Sequence, residues 1–256
     1  MRVNATLTAL QKAGGDALCK LVLTKYDSTE YTYGVDTTDR ILNLSHTEQE
    51  WSQTAQVTVN DSSGTLAALT LEGCSGVISY GYDSTYSACA PLEVIASKTD
   101  SPQGRIVTTL SLAGVFNMMG EDEASAAYTP EDTNTDTVKT ILTAIAKGSA
   151  SGGLDCFNHC KEYTITFEPE SDSYPLGYDD GIIDDFKPAD YFNIGFKESR
   201  LSAFKKVLSY TKCKARIGAD GAIHIFNPTV SDADPAVYDY EYNDAYGDYH
   251  NFFDKS

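Results

Sequence analysis

The segment Glu198–Phe226, ESRLSAFKKVLSYTKCKARIGADGAIHIF, switches from a helical to an extended apolar period with no room for a long loop between the two. Leu201, Phe204, Val207 and Leu208 recur at the spacing that places side chains on one face of an α-helix. Ser199 stands just before them, where a hydroxyl satisfies the first free amides. From Cys213 the period falls to two, through Ala215 and Ile217, then through Ile223 and Ile225 beyond Gly218-Ala219-Asp220-Gly221. Asp-Gly between two alternating runs signals a β-hairpin. The chain is therefore predicted to carry a helix at 199–211 joined directly to a hairpin at 213–226. Leu201, Phe204, Leu208, Ile223 and Ile225 are its packing or interface residues, and nothing in it resembles a catalytic group.

The first half reads as a succession of short strands. Candidates are Leu18–Thr24, Glu30–Val35, the alternating Ala55, Val57 and Val59, Leu69 and Leu71 leading to Gly73, Gly76–Tyr82, Leu92–Ala96 and Arg105–Val115. Turn sequences separate them, among them Asn60-Asp61-Ser62-Ser63-Gly64 and Asp100-Ser101-Pro102-Gln103-Gly104. Turns at this spacing imply a β-barrel or sandwich. Seventeen Tyr and ten Phe against a single Trp agree with β structure. Residues 1–120 are assigned to this β domain and 121–256 to an α+β region, so that the whole is α+β and mainly β.

In the second region GEDEASAAYTPEDTNTD, from Gly120, is acidic and aperiodic and reads as a connector. Asp136 is the expected cap of a helix at 137–147, with Val138, Ile141, Leu142 and Ile145 on its apolar face and Gly148 as its stop. A β segment at Tyr163–Phe167, an acidic loop at 168–190, the helix–hairpin and a final strand at 237–243 follow. That last strand places Tyr238, Tyr240 and Tyr242 on one face, as an interface or a sugar-stacking platform.

The chain has 256 residues and a net charge of −18. Residues 1–120 hold 12 acids and 7 bases, and the remainder 25 acids and 12 bases. That balance argues against a protein that grips phosphates, which needs clustered Lys and Arg. The N-terminal MRVNATLTALQKAGGD lacks an apolar run of signal-peptide length, and no segment is suited to span a membrane, so synthesis in a cytoplasm is expected. Six widely spread cysteines do not form a dense disulfide framework and are read as reduced and buried.

Cys156, His159 and Cys160 supply three zinc-type ligands with Cys213 as the only fourth, whereas structural zinc usually takes two spaced pairs. Asp179, Asp180, Asp184 and Asp185 offer oxygen ligands at a spacing unlike an EF-hand, and solvated acids explain them better. His46, His159, His224 and His250 are isolated in sequence, and His224 is expected to face solvent or a subunit contact. No nucleophile elbow, HExxH motif or phosphate loop is present. No catalytic residue, cofactor or metal is assigned, and the chain is read as non-enzymatic.

Three features together resemble the hub proteins of bacteriophage tails, of the baseplate-hub or late-control type. These are the TVKTILTAIAKG helix, the ESRLSAFKKVLSYTKCKARIGADGAIHIF unit, and LSHTEQEWSQTAQVTVNDSSGTLAAL at Leu44–Leu69, similar to the first barrel of such hubs. The resemblance implies tube-type β-barrels with a small helix-plus-hairpin insertion. It also implies a virion location and a ring-forming homo-oligomer, a trimer, that continues the tail tube to the tip. Its partners would be copies of itself and neighbouring tube and tip proteins, with DNA passing unbound and no membrane contact. The alternative outside this family is a virion-surface or extracellular β-sandwich that binds glycans through the Tyr238–Tyr242 face.

Overall fold

The computed structural model describes residues 5–12, 17–34, 40–82, 85–130, 136–171, 174, 176–178, 180–188 and 192–228. After a short helix α1 (Ala5–Lys12) come eight strands: β1 (Ala17–Thr24), β2 (Glu30–Gly34), β3 (Ile41–Gln49), β4 (Ser52–Asn60), β5 (Ser75–Tyr82), β6 (Thr85–Ala88), β7 (Leu92–Asp100) and β8 (Val107–Ala113). They form one antiparallel sheet in the order β2-β1-β5-β7-β8-β4-β3, with β6 paired to β5. Leu21 and Leu23, Tyr33, Val57 and Val59, Ile78, Leu92 and Val94, and Leu110 and Leu112 meet in one buried cluster. Side chains from six strands converge only because the sheet twists and curls over its own inner face. An isolated bridge joins Gly34, the last residue of β2, to Arg40 just before β3, and no described strand pairing closes the sheet into a barrel.

Strict alternation made β4 readable: its Ala55, Val57 and Val59 point inward while Thr54 and Gln56 face out. The Leu69–Gly73 stretch, expected to be extended, is instead part of a turn-rich segment from Asp61 to Cys74 that plugs the curl with Leu66 and Leu71. Asp61 organises that plug. Its buried carboxylate accepts from the Leu66 amide at 3.2 Å and the Ala67 amide at 2.7 Å. Asp61→Ala strands both amides and should cost about 1–3 kcal/mol in urea unfolding, with Asp61→Asn falling between it and wild type.

The remaining described elements are α2 (Val115–Glu121), α3 (Val138–Lys147), β9 (Ile165–Phe167), α4 (Asp180–Asp185), α5 (Arg200–Leu208), β10 (Lys214–Ile217) and β11 (Ile223–Phe226). The last two form the expected hairpin, with Ile217 opposite Ile223. Its turn differs from the two-residue form: Gly218 pairs with Ala222, and Gly221 takes a positive φ of 80°. This is the three-residue connection with a left-handed glycine at its end. Strand β11 also pairs in parallel with β9, giving a three-stranded mixed sheet.

A second buried cluster unites α2, α3, α5 and this small sheet, and it includes Phe116, Met119, Ile141, Ile145, Phe157, Phe204, Val207, Ile223 and Ile225. Helix α2, which apolar periodicity did not reveal, therefore packs with the second core. The acidic connector is no free linker. Ala124 is buried and exchanges backbone bonds with Lys197 and Glu198, and Tyr128 exchanges them with Ile194. The cap of α3 is Thr137, which accepts from the Thr140 amide, while Asp136 accepts from the Tyr128 hydroxyl at 3.1 Å. Within the expected loop at 168–190, residues 180–185 are helical.

Candidate functional site

Helix α5 begins as expected, with Ser199 accepting from the Ser202 amide at 3.2 Å. Phe204, Leu208, Ile223 and Ile225 are buried in the second core, whereas Leu201 is only partly buried at its edge. The buried face is rotated towards Arg200, Ala203, Phe204, Val207 and Leu208. Arg200 is fully buried and was not visible as a core residue from sequence. Its guanidinium donates to the carbonyls of Ile145 (2.8 Å), Ala146 (2.6 Å) and Lys161 (2.7 Å) and to the Asp122 carboxylate (3.0 Å). Ile145 and Ala146 lie in the last turn of α3, whose carbonyls have no partner within the helix and carry the negative end of its dipole. Arg200 thus joins α5 to the end of α3 and to the chain beyond α2. Gly148 makes room for it: its φ is +53°, and a Cβ there would come within 2.9 Å of the guanidinium.

His224 does not face solvent as expected. Its Nε2 bonds Asp220 at 2.9 Å and its Nδ1 bonds Glu168, which ties the hairpin to the end of β9. Burial pulls the imidazole pKa down, but the hydrogen bonds and charges of Asp220 and Glu168 outweigh it and leave the pKa above its ordinary value. Hydrogen bonding to His224 leads the opposite shift at Asp220, whose carboxyl lies below its usual range. The histidine's contribution to stability is complete below about pH 6.5 and is lost as pH rises through its elevated pKa. Asp220 contributes above its unfolded pKa and loses that contribution as pH falls through its depressed one. The stability gap between wild type and His224→Gln should therefore be widest between about pH 4 and 6.5 and shrink on both sides, as denaturant titrations across pH will read.

Cys156, Cys160 and Cys213 are all buried in the second core. The His159 Nε2 approaches Cys160 Sγ at 3.6 Å, yet these groups do not gather with a third ligand into a metal-sized cluster among the described residues. Burial first of all pushes the Cys156 and Cys160 thiols up to about 11 each. They are core thiols that burial holds in the protonated form at neutral pH. Asp184 is engaged by Lys139 at 2.8 Å and the Tyr178 hydroxyl at 3.0 Å, and Asp185 is exposed. Asp179, His250, Tyr238, Tyr240, Tyr242 and the strand expected at 237–243 lie outside the described residues.

Two large aliphatic side chains stand exposed on an otherwise mostly polar outer surface of the sheet. Leu42 on β3 is 57% exposed and Ile95 on β7 is 51% exposed. Each sits where strand register slips, between Ile41 and Asn43 and between Val94 and Ala96. Among the described strands β3 pairs only with β4, which leaves a nine-residue edge.

No known protein family matches the chain, and no curated protein matches it either. The solved structures that resemble it include phage tail proteins. One is the tail protein from Neisseria meningitidis MC58, with 10% identity and a TM-score of 0.48 over 81% of this chain and 50% of that one. A second is the 43 kDa tail protein of prophage MuSo2 from Shewanella oneidensis, with 11% identity and a TM-score of 0.47 over 81% and 54%. A third is the virion of a native gene transfer agent particle, with 11% identity and a TM-score of 0.35 over 50% of this chain and 53% of that one. The chain spans about half the length of each.

Proposed function

We propose that this chain is a non-catalytic structural subunit of a phage tail tip or baseplate hub, in which copies join as a ring that continues the tail tube. The observation that carries the proposal is the long β3 edge with Leu42 on it, standing on a sheet whose inner face is already filled. A nine-residue edge left unpaired among the described strands, with an exposed leucine beside polar Asn43, Ser45, Thr47 and Gln49, is a liability for a protein that stays alone, and an assembly partner explains its retention. The helix–hairpin unit supports the same reading, because it resembles the corresponding unit of phage hubs and its polar groups Arg200 and His224 are engaged in holding the second core together. In this reading the curled sheet is one tube-type barrel wall. The ring is a trimer seated between tube and tip proteins, and a net charge of −18 lets DNA pass unbound.

The test is sedimentation and negative-stain imaging of the purified chain and of tails that contain it. Rings are expected for wild type. Leu42→Lys should reduce assembly while leaving the melting temperature within a few degrees, since Leu42 contributes little to the core. A monomer at the highest soluble concentration, together with tails that lack a ring of this chain, would overturn the proposal.

A further inference from the structure

We propose a divalent transition-metal site, of the zinc class, built from His46, Glu48 and Cys89. His46 and Glu48 are two apart on β3 and lie on one side of that strand; Cys89 follows β6. In the hydrogen-bonded order of the sheet β3 is the far edge from β6, and the curl brings the two together. One ligand atom from each residue lies within 4.8 Å of the other two, and the His46 Nε2 to Glu48 Oε1 distance is 3.7 Å. Bonds of about 2.0–2.3 Å in a tetrahedron set ligand atoms roughly 3.3–3.8 Å apart, so the histidine–glutamate pair already has the right span. Small rotations of the Cys89 side chain supply the rest.

The surroundings suit a metal better than a simple ion pair. His46 Nδ1 lies 3.2 Å from the Tyr80 hydroxyl, and the two rings stack at 6.0 Å. A hydrogen bond on the far ring nitrogen orients Nε2 and fixes its availability, as outer-shell partners do for ligating histidines. The His46 side chain is 6% exposed, Glu48 19%, and Cys89 is buried. All three border a cavity of about 370 Å³ also lined by Leu7, Leu18 and Tyr82. The cavity leaves a fourth position for a water or a small donor. A set of one nitrogen, one oxygen and one sulfur fits zinc and disfavours magnesium and calcium, which take oxygen alone. Binding places a thiolate on the ion and releases the Cys89 proton to solvent, so affinity weakens as pH is lowered and strengthens as it is raised. The ion would staple the β3 edge to the β5–β6 hairpin. This inference is independent of the proposed tail role.

The probe is Zn2+ alone, added to chelator-treated full chain, with Co2+ as a spectroscopic substitute. One equivalent is expected to bind, to raise the melting temperature and, as cobalt, to show a thiolate charge-transfer band. Cys89→Ser and His46→Gln should each lose the band and the thermal shift. Cys160→Ser should keep both, which separates this site from the buried Cys156–Cys160 pair. Tyr80→Phe leaves all three ligands and should weaken binding roughly 10–100-fold. Circular dichroism confirms that each variant is folded, and the Tyr80 variant keeps the test open should a ligand variant fail to fold. Substoichiometric zinc, a cobalt spectrum without the thiolate band, or undiminished binding in folded Cys89→Ser would overturn the site.

Discussion

Replacing Arg200 with Met is expected to destabilise the protein by about 3–5 kcal/mol, because buried carbonyls lose a charged donor and half-buried Asp122 loses its counter-charge at once. Methionine fills much of the same volume, so the cost arises from polarity rather than from a void. The carbonyls of Ile145, Ala146 and Lys161 each lose a charged donor at 2.6–2.8 Å. The Ala146 carbonyl keeps the Tyr163 amide at 2.9 Å, so the desolvation penalty falls chiefly on the carbonyls of Ile145 and Lys161. The guanidinium also lies 5.1 Å from the centre of the Tyr163 ring, a contact that methionine replaces only in part. Arg200→Lys should recover a minority of the loss, because an ammonium cannot span three carbonyls and a carboxylate in the planar arrangement that the guanidinium reaches. Equilibrium unfolding in guanidinium chloride reads the difference directly. A loss below about 1 kcal/mol for Arg200→Met would mean that these carbonyls find water once the side chain is gone.

Arg200 also marks the limit of what the sequence discloses. A basic residue in the first turn of a helix opposes the helix dipole and is normally assigned to solvent. Here its partners are 39, 54, 55 and 78 residues away along the chain, and no local pattern encodes them. By contrast, β4, α3, α5 and the β10–β11 hairpin were legible, because each carries its own period, cap or turn glycine in a few adjacent residues. Helix α2 was not, being two turns long, started by Gly114 without a side-chain cap, and interrupted by Gly120. The parallel pairing of β9 with β11 escaped for the same reason as Arg200: it joins Ile165 to Ile223 across most of the second unit. His46 looked isolated because Tyr80 and Cys89 reach it only through the curl of the sheet. Apart from α2, what was missed is long-range, and it includes the polar groups with the most specific geometry.

The second large effect is expected at Phe204, where truncation to Ala should cost about 3–5 kcal/mol. The ring is fully buried and stands 6.4 Å from the ring of Phe116, which in turn lies 5.0 Å from Trp51. Trp51 belongs to the turn between β3 and β4, Phe116 to α2 and Phe204 to α5, so this row of rings is an apolar contact between the curled sheet and the second core. Helix α2 is held against the sheet: Phe116 meets Trp51, and the Asn117 side-chain Oδ1 accepts from the Gln53 backbone N–H at 2.8 Å. The neighbours therefore cannot close on the space a lost ring leaves, and the cavity term adds to the lost transfer energy. Leu201→Ala provides the comparison, because Leu201 only borders the same core. It should cost less than half as much, in proportion to the smaller apolar area withdrawn from water. Equal losses at the two positions would show that α5 turns a different face inward from the one formed by Ala203, Phe204, Val207 and Leu208. A two-step transition in Phe204→Ala, with the sheet outlasting the second core, would show in addition that the aromatic row is what makes the two cores unfold together.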